Sequence, residues 1–315
     1  MSAAALMLLA WFAELILGWP NWLYKRLRHP VVWFGGLVSV LERAFNQTSW
    51  PHSARYIAGM VSTLLAVSAA VAIGAAISWL LPMTWWGIGF ELLICSSLLA
   101  SRSLHAHVAA IARPLANGDT DAARQAVAMI VGRDPHQLDQ AGIARAGLES
   151  LAENASDGVI APLFWGAIFG LPGLAGYKAI NTLDSMIGHR NEPYAAFGGF
   201  AARLDDAANL VPARITGALL AIVSFKPAAF QVMLSDARQH RSPNAGWPEA
   251  AMAGGLGVRL SGPRRYEDRV SDEPWLNPDA RDPNAADMFT GLQTYRLALG
   301  LAAVLLIAIA IGLAR

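Results

Sequence analysis

What this chain can become is limited first by its apolar runs. Residues 56–81 hold no charge at all, and residues 291–314 hold only Arg296 near their start. Each is long enough, as a helix rising ~1.5 Å per residue, to cross the ~30 Å hydrocarbon core of a bilayer. Shorter or interrupted apolar runs occupy residues 3–18, 86–100, 159–180 and 208–225. Only 15% of the 315 residues are charged, where a soluble domain carries about a quarter. Within lipid, backbone polar groups must be satisfied inside the segment, which leaves helices as the open choice for runs of this kind. The expected fold is all-α: a polytopic integral membrane helical protein with broken or re-entrant helices and a small cytoplasmic helical subdomain.

Charge sets the expected orientation. Lys25, Arg26, Arg28, Arg43 and Arg55 place the segment after the first apolar run in the cytoplasm. No basic stretch precedes residues 3–18, so that run reads as a retained helix, with Glu14 snorkelling or facing a polar interior. Pro82-Met83-Thr84 is an uncharged outer turn, and Trp85 and Trp86 suit the interface. Arginines 102, 113, 124, 133 and 145 bring the chain inside again. That inner region reads as three short helices: residues 101–116, ended by Asn117-Gly118; a second capped by Asp119 or Thr120 and running to about Gly132; and a third starting at Asp134-Pro135. The resulting division is 1–100 (membrane helices and basic loop), 101–158 (helical subdomain), 159–290 (membrane segments with polar blocks) and 291–315 (final membrane helix). Leu171-Pro172-Gly173 should break the run 159–180, because proline removes a backbone donor. A re-entrant hairpin there would return the chain to the side it came from, and residues 208–225 could do the same.

Four polar blocks lie beside these runs. In Arg145–Gly158 the residues Arg145, Glu149, Glu153 and Asp157 recur at i,i+4 and share a helix face; Asn154 adds an amide oxygen. Stacked carboxylates suit a hydrated helix end or a bound cation, and Asp157-Gly158 reads as a turn. The second block holds Asn181 and Asp184 at i,i+3, then Arg190, Asn191 and Glu192. The third holds Asp205 and Asp206 within one turn of Asn209, flanked by Arg203 and Arg214. The fourth, residues 242–250, has a turn at Asn244 and a helix opening at Trp247-Pro248-Glu249. Carboxylates with amide oxygens are hard ligands of the kind Mg²⁺ takes together with phosphate, and arginines clamp phosphate oxygens. Helix-end acids favoured by the macrodipole would look the same one block at a time. The motif GGLG at 254–257 reads as close helix packing. A single cysteine, no HExxH, no GxxxxGK[ST] and no GxSxG argue against thiolate, zinc-protease, P-loop and hydrolase-elbow chemistry. A net charge of +1 gives no basic field for nucleic acid.

Taken together, ESLAENASDGVIAPLFW, YKAINTLDSMIGHRNEPY, FAARLDDAANLVPAR and SPNAGWPEAAMAGGLGVRL resemble the CobD/CbiB family of cobalamin-biosynthesis membrane proteins (adenosylcobinamide-phosphate synthase). So do ELILGWP, HPVVWFG and RSLHAHV, and the resemblance runs in order over nearly the whole chain. Gly36, Glu14 and His105 depart from the family's usual pattern. The resemblance implies ATP- and Mg²⁺-dependent amide ligation of a corrinoid propionate, on adenosylcobyric acid, to aminopropanol or its phosphate. It implies a bacterial inner-membrane enzyme among lipid, with the site facing the cytoplasm; a homo-oligomer is left open. On that reading Glu149, Glu153, Asp184 and Glu249 are candidate acids and bases, and Asp157, Asp205 and Asp206 candidate metal ligands. Asn154, Asn181, Arg190, Arg203, Asn209, Arg214 and Asn244 would bind substrate or nucleotide. Two other readings stay open: a Mg²⁺-dependent membrane transferase using an isoprenoid-diphosphate or CDP-alcohol donor, and a non-catalytic corrinoid-binding or transport protein.

Overall fold

The structure, a computed structural model, describes residues 1–19, 25–26, 28–130, 138–189, 191–266 and 269–313. The fold is nearly all helix: α1 (Ala3–Leu17), α2 (Pro30–Phe45), α3 (His52–Leu80), α4 (Trp85–Ser97), α5 (Ser101–Ala116), α6 (Thr120–Ala128), α7 (Gln140–Ala155), a π-turn (Ser156–Ile160), α8 (Ala161–Ile187), α9 (Tyr194–Phe197), α10 (Gly199–Val223), α11 (Pro227–Asp236), α12 (Gly246–Leu256) and α13 (Ala285–Gly312). Two small antiparallel pairs that the sequence reading did not foresee lie before α13: β1 (Leu260–Ser261) with β4 (Trp275–Leu276), and β2 (Arg264–Tyr266) with β3 (Arg269–Ser271). Five helical stretches are long and apolar enough to cross a membrane: His52–Leu80, Trp85–Ala116, Gln140–Ile187, Gly199–Val223 and Ala285–Gly312. The protein is therefore a polytopic helical membrane protein. Two compact units divide the chain: Met1–Ala100 with Ala161–Asn209 and Leu306–Arg315, and Ser101–Ile160 with Leu210–Leu305.

The first unit is built round α3 and α8. Helix α3 and the short α4 form the expected hairpin over Pro82-Met83-Thr84, and Ser78 Oγ donates to Glu91 at 2.6 Å across it. Glu14 on α1 is buried, so of its two expected positions it takes the interior one. Helix α8 is not straight. Its chain is broken at Gly170, with φ 68° and ψ −152°, a conformation open almost solely to glycine. The sequence places the break at Leu171-Pro172-Gly173; the structure moves it one residue earlier, because Pro172 fits the start of the helix that follows. The two arms fold back on each other. A Cβ on Gly173 would lie 2.4 Å from Trp165 O, whereas residues eight apart on a straight helix stand ~12 Å apart. Ala161 likewise packs with Tyr177. The tip rests on α3, where a Cβ on Gly74 would meet Pro172 Cα at 3.0 Å. From there the second arm runs antiparallel to α3, and Leu183 and Ile187 join Ala66, Val38, Phe197 and Ala201 in a buried cluster.

In the second unit α5, α6 and α7 pack together. Asp119 caps α6, its carboxylate accepting from Ala122 N at 3.0 Å. That helix ends at Ala128 rather than near Gly132. The expected start of the third helix at Asp134-Pro135 lies outside the described residues; the helix that is described begins at Gln140, capped by Asp139 at 2.7 Å from Gly142 N. Gly158 makes no turn. The chain instead widens into one π-turn and runs on into α8, and such turns occur often at functional sites. Residues 226–288 hold α11, α12 and the strands, and α12 opens at Gly246, beside the expected Trp247-Pro248-Glu249 start. Gly254 serves packing as expected: a Cβ there would lie 2.5 Å from Ala228 O on α11.

Candidate active site

The second and third polar blocks meet in the first unit. Asn181 and Asp184 sit on the last turns of α8, as their spacing predicts, and the helix stops at Ile187. The third block is helical. It lies inside α10, one continuous helix without the break that a re-entrant segment would need. Asp205 and Asn209, one turn apart, are 8% and 1% exposed. Asn209 Nδ2 donates to Asp205 Oδ2 at 3.0 Å, and Tyr177 from α8 donates its phenolic hydrogen to Asn209 Oδ1 at 2.9 Å. Asp184, Asp206 and the Asn181 amide lie close enough to Asp205 to act on its charge. The Asn181 amide reaches the Asp205 carboxylate, and Oδ1 is buried without a hydrogen bond of full geometry. A buried carboxylate oxygen in that position is costly unless something comes to it.

Helix α10 is shaped for this position. Pro212 has no N–H to offer Ala208 O, the carbonyl four residues back. Trp165 Nε1 from the first arm of α8 donates to that carbonyl at 3.0 Å. Arg203 is exposed at the other end of the block; its Nη1 donates to Tyr56 Oη at 3.1 Å, with the guanidinium 5.7 Å from the ring centre. Arg190 lies outside the described residues.

The remaining candidates belong to the second unit. Arg214 donates to Asn244 Oδ1 at 2.6 Å and stacks on Trp247 at 4.6 Å. Ser242 Oγ accepts from the backbone of Asn244 and Ala245, which turns the chain into α12. Glu249 is buried in the first turn of α12, 3.7 Å from His240 Nε2. The Nδ1 of His240 lies 3.1 Å from Ser242 N and 3.4 Å from Ser242 O. The first block does not act as one stripe. Glu149 is buried and accepts from Ser261 N at 2.8 Å. Glu153 and Asn154 are exposed, Asn154 folding back on Ser150 O at 2.9 Å. Asp157 is half-buried on the π-turn. Arg145 is turned to Asp282, which Arg259 also grips at 2.7 and 2.9 Å, and both guanidiniums lie 4.4–4.5 Å from the Trp275 ring centre. Hydrogen bonds from Arg259, partly offset by burial and then helped by the charge of Arg145, hold the Asp282 carboxyl at about 2.

Sequence reasoning missed Tyr177, Trp165 and His240. A tyrosine and a tryptophan in an apolar run look like packing, and only the fold brings them to Asn209 and Ala208. The signal available was Pro212, which announces an orphan carbonyl four residues before it.

Residues 7–295 match the CobD/Cbib protein family. The cobalamin biosynthesis protein CobD of Rhodobacter capsulatus is 55% identical over 313 residues, covering 97% of this chain and 99% of that one. The protein of that name from Brucella anthropi is 46% identical, with 95% and 94% covered, and that from Rhizobium meliloti 44%, with 89% of each. No solved structure matches the chain. With its match spanning nearly the whole sequence and relatives this similar end to end, the chain belongs to the CobD/Cbib family.

Proposed function

We propose that this protein acts in cobalamin biosynthesis as a membrane-bound amide ligase. It joins a propionate carboxylate of a corrinoid, adenosylcobyric acid, to the amine of aminopropanol or its phosphate, and ATP drives the reaction. The observation that carries the reading is Asp205: a buried acid between two membrane-crossing segments, held at Oδ2 by Asn209, with Oδ1 short of a full hydrogen bond and Asp184, Asp206 and the Asn181 amide around it. Family membership supplies the pathway.

The residues fit Mg²⁺. The donors are hard oxygens, and Asp205 Oδ1, short of a full hydrogen bond, suits a cation. Among the described residues no three His, Cys, Asp or Glu side chains converge to cage an ion. A magnesium–nucleotide does not need such a cage, because it usually takes one or two carboxylates and completes its shell with water and phosphate. When bound, the ion would neutralise the transferring phosphate. Asp205 and Asp206 are the chain's ligands for it.

A carboxylate cannot accept an amine until one oxygen can leave. The γ-phosphate of ATP therefore passes to the corrinoid carboxylate, giving an acyl phosphate and ADP. The amine attacks the carbonyl carbon, phosphate departs, and the ammonium proton goes to a carboxylate. Asp184 takes that proton, and Glu149, Glu153 and Glu249 are the other acids proposed for proton transfer. Asn154, Asn181, Asn209 and Asn244 orient phosphate or amide groups; Arg190, Arg203 and Arg214 hold phosphate or corrinoid carboxamides. The enzyme sits in the bacterial inner membrane with its site facing cytoplasmic ATP.

Asp205→Asn keeps the shape and removes the charge. In protein purified in detergent, the product is read by mass. The substitution should lower ligase turnover by roughly 100-fold or more. Full turnover would take Asp205 out of the mechanism. Product formed from an isoprenoid diphosphate without ATP would favour the transferase reading instead.

A further inference from the structure

Both arms of the α8 hairpin reach α10 by hydrogen bonds, and two of these land on consecutive residues. Trp165 of the first arm takes Ala208 O at 3.0 Å, and Tyr177 of the second takes Asn209 Oδ1 at 2.9 Å. The second bond decides which way an amide faces. A carboxamide has an acceptor at one end and donors at the other. With Oδ1 occupied by the phenol, Asn209 must turn Nδ2 to Asp205 Oδ2, where it sits at 3.0 Å. Rotated by half a turn, the amide would set its oxygen against the carboxylate. Tyr177 is 2% exposed and Asn209 1%, so water offers little competition for either group.

We propose that Tyr177 is a positioning residue for Asp205. Acting through Asn209, its phenol holds the carboxylate by Oδ2 and leaves Oδ1 as the oxygen that receives the cation. This rests on the reading of Asp205 as a ligand of the magnesium–nucleotide. Nothing in the apolar sequence round Tyr177 marks it; the role follows from the fold-back at Gly170, which brings the second arm against α10.

The test uses the full chain in detergent, with Mn²⁺ as the probe read by its electron-paramagnetic signal, and ligase kinetics beside it. Tyr177→Phe removes one hydroxyl. It should raise the Mn²⁺ Kd by about 5–10-fold, in keeping with one lost hydrogen bond in the series. It should also lower kcat at limiting Mg²⁺, with partial recovery at high Mg²⁺ and little change in KM for the amine. Asn209→Ala should weaken Mn²⁺ binding as much, and Tyr177→Phe added to it should cost little more, because the route from the phenol to the carboxylate runs through the amide. Asn209→Ser serves if the alanine variant does not fold. Wild-type Mn²⁺ affinity in Tyr177→Phe, with affinity lost in Asp205→Asn, overturns the positioning role and leaves the reading of Asp205 intact. Additive losses from Tyr177 and Asn209 overturn it too, since the tyrosine would then be acting by general packing. Wild-type affinity in Asp205→Asn, or no saturable Mn²⁺ signal in the wild type, overturns the ligand reading and the proposal together.

Discussion

Asp282 shows what single residues contribute and how poorly spacing foretells it. One carboxylate holds Arg145 and Arg259, and both guanidiniums lie against Trp275. The folded carboxyl ionises at about 2, below the ~3.9 of an unfolded chain. A depressed value means that the folded state favours the ionised form, so this stability is fully present above about pH 4. It is lost as pH falls from there through 2. Asp282→Asn should lower the Tm of the purified protein by roughly 1–4 °C, a modest figure because the side chain is partly exposed and solvent screens it. That deficit should be constant from pH 5 to 8 and should close as pH falls below 4, as followed by thermal unfolding at each pH. In the sequence, Arg145 reads as the start of a stripe with Glu149, Glu153 and Asp157. The i,i+4 spacing is right for a helix, but the partners of Arg145 and Glu149 lie far along the chain, at Asp282 and Ser261. A helix face can be read from spacing; what will be packed against it cannot.

The element that most shapes the first unit is the broken helix α8. Its existence was legible, because a proline within an apolar run cannot carry the helix unbroken. Its exact break was not, because Gly170 and Gly173 are equal candidates in sequence, and only packing decided that Gly173 would take the close approach to Trp165. The acid and amide positions on α8 and α10 were legible for the same reason as the helices: Asn181 with Asp184, and Asp205 with Asn209, repeat at helical intervals. The bonds that orient them were hidden in aromatic residues that pass for packing. The coupling between the elements can be measured. Trp165→Phe leaves Ala208 O without its donor and should cost roughly 1–3 kcal/mol, read as a fall in Tm. Pro212→Ala restores a backbone N–H four residues on. In that background Trp165→Phe should cost clearly less, and equal costs in the two backgrounds would show that the indole acts through packing alone.

For the molecule in its membrane, loop contacts fix which ends of the first unit lie together. Arg55 pairs with Glu192 at 3.0 Å and also donates to Pro193 O, while Asn46 Nδ2 reaches the same carbonyl at 3.1 Å. The basic segment before α3 and the turn after α8 therefore share one side. The α3–α4 turn stands at the far end of a 29-residue helix, about 43 Å away. Single cysteines at Ser49 and Glu192 should react with a membrane-impermeant maleimide from one face of sealed vesicles, and a cysteine at Met83 only from the other. Labelling of all three from one face would mean that α3 does not span.

The seat of the hairpin tip on Gly74 has a consequence for biogenesis. Carbonyls freed at Gly170 tolerate the depth of a membrane only while protein covers them. In a chain made from its amino end α3 precedes α8, so the receptor for the bend is made before the bend.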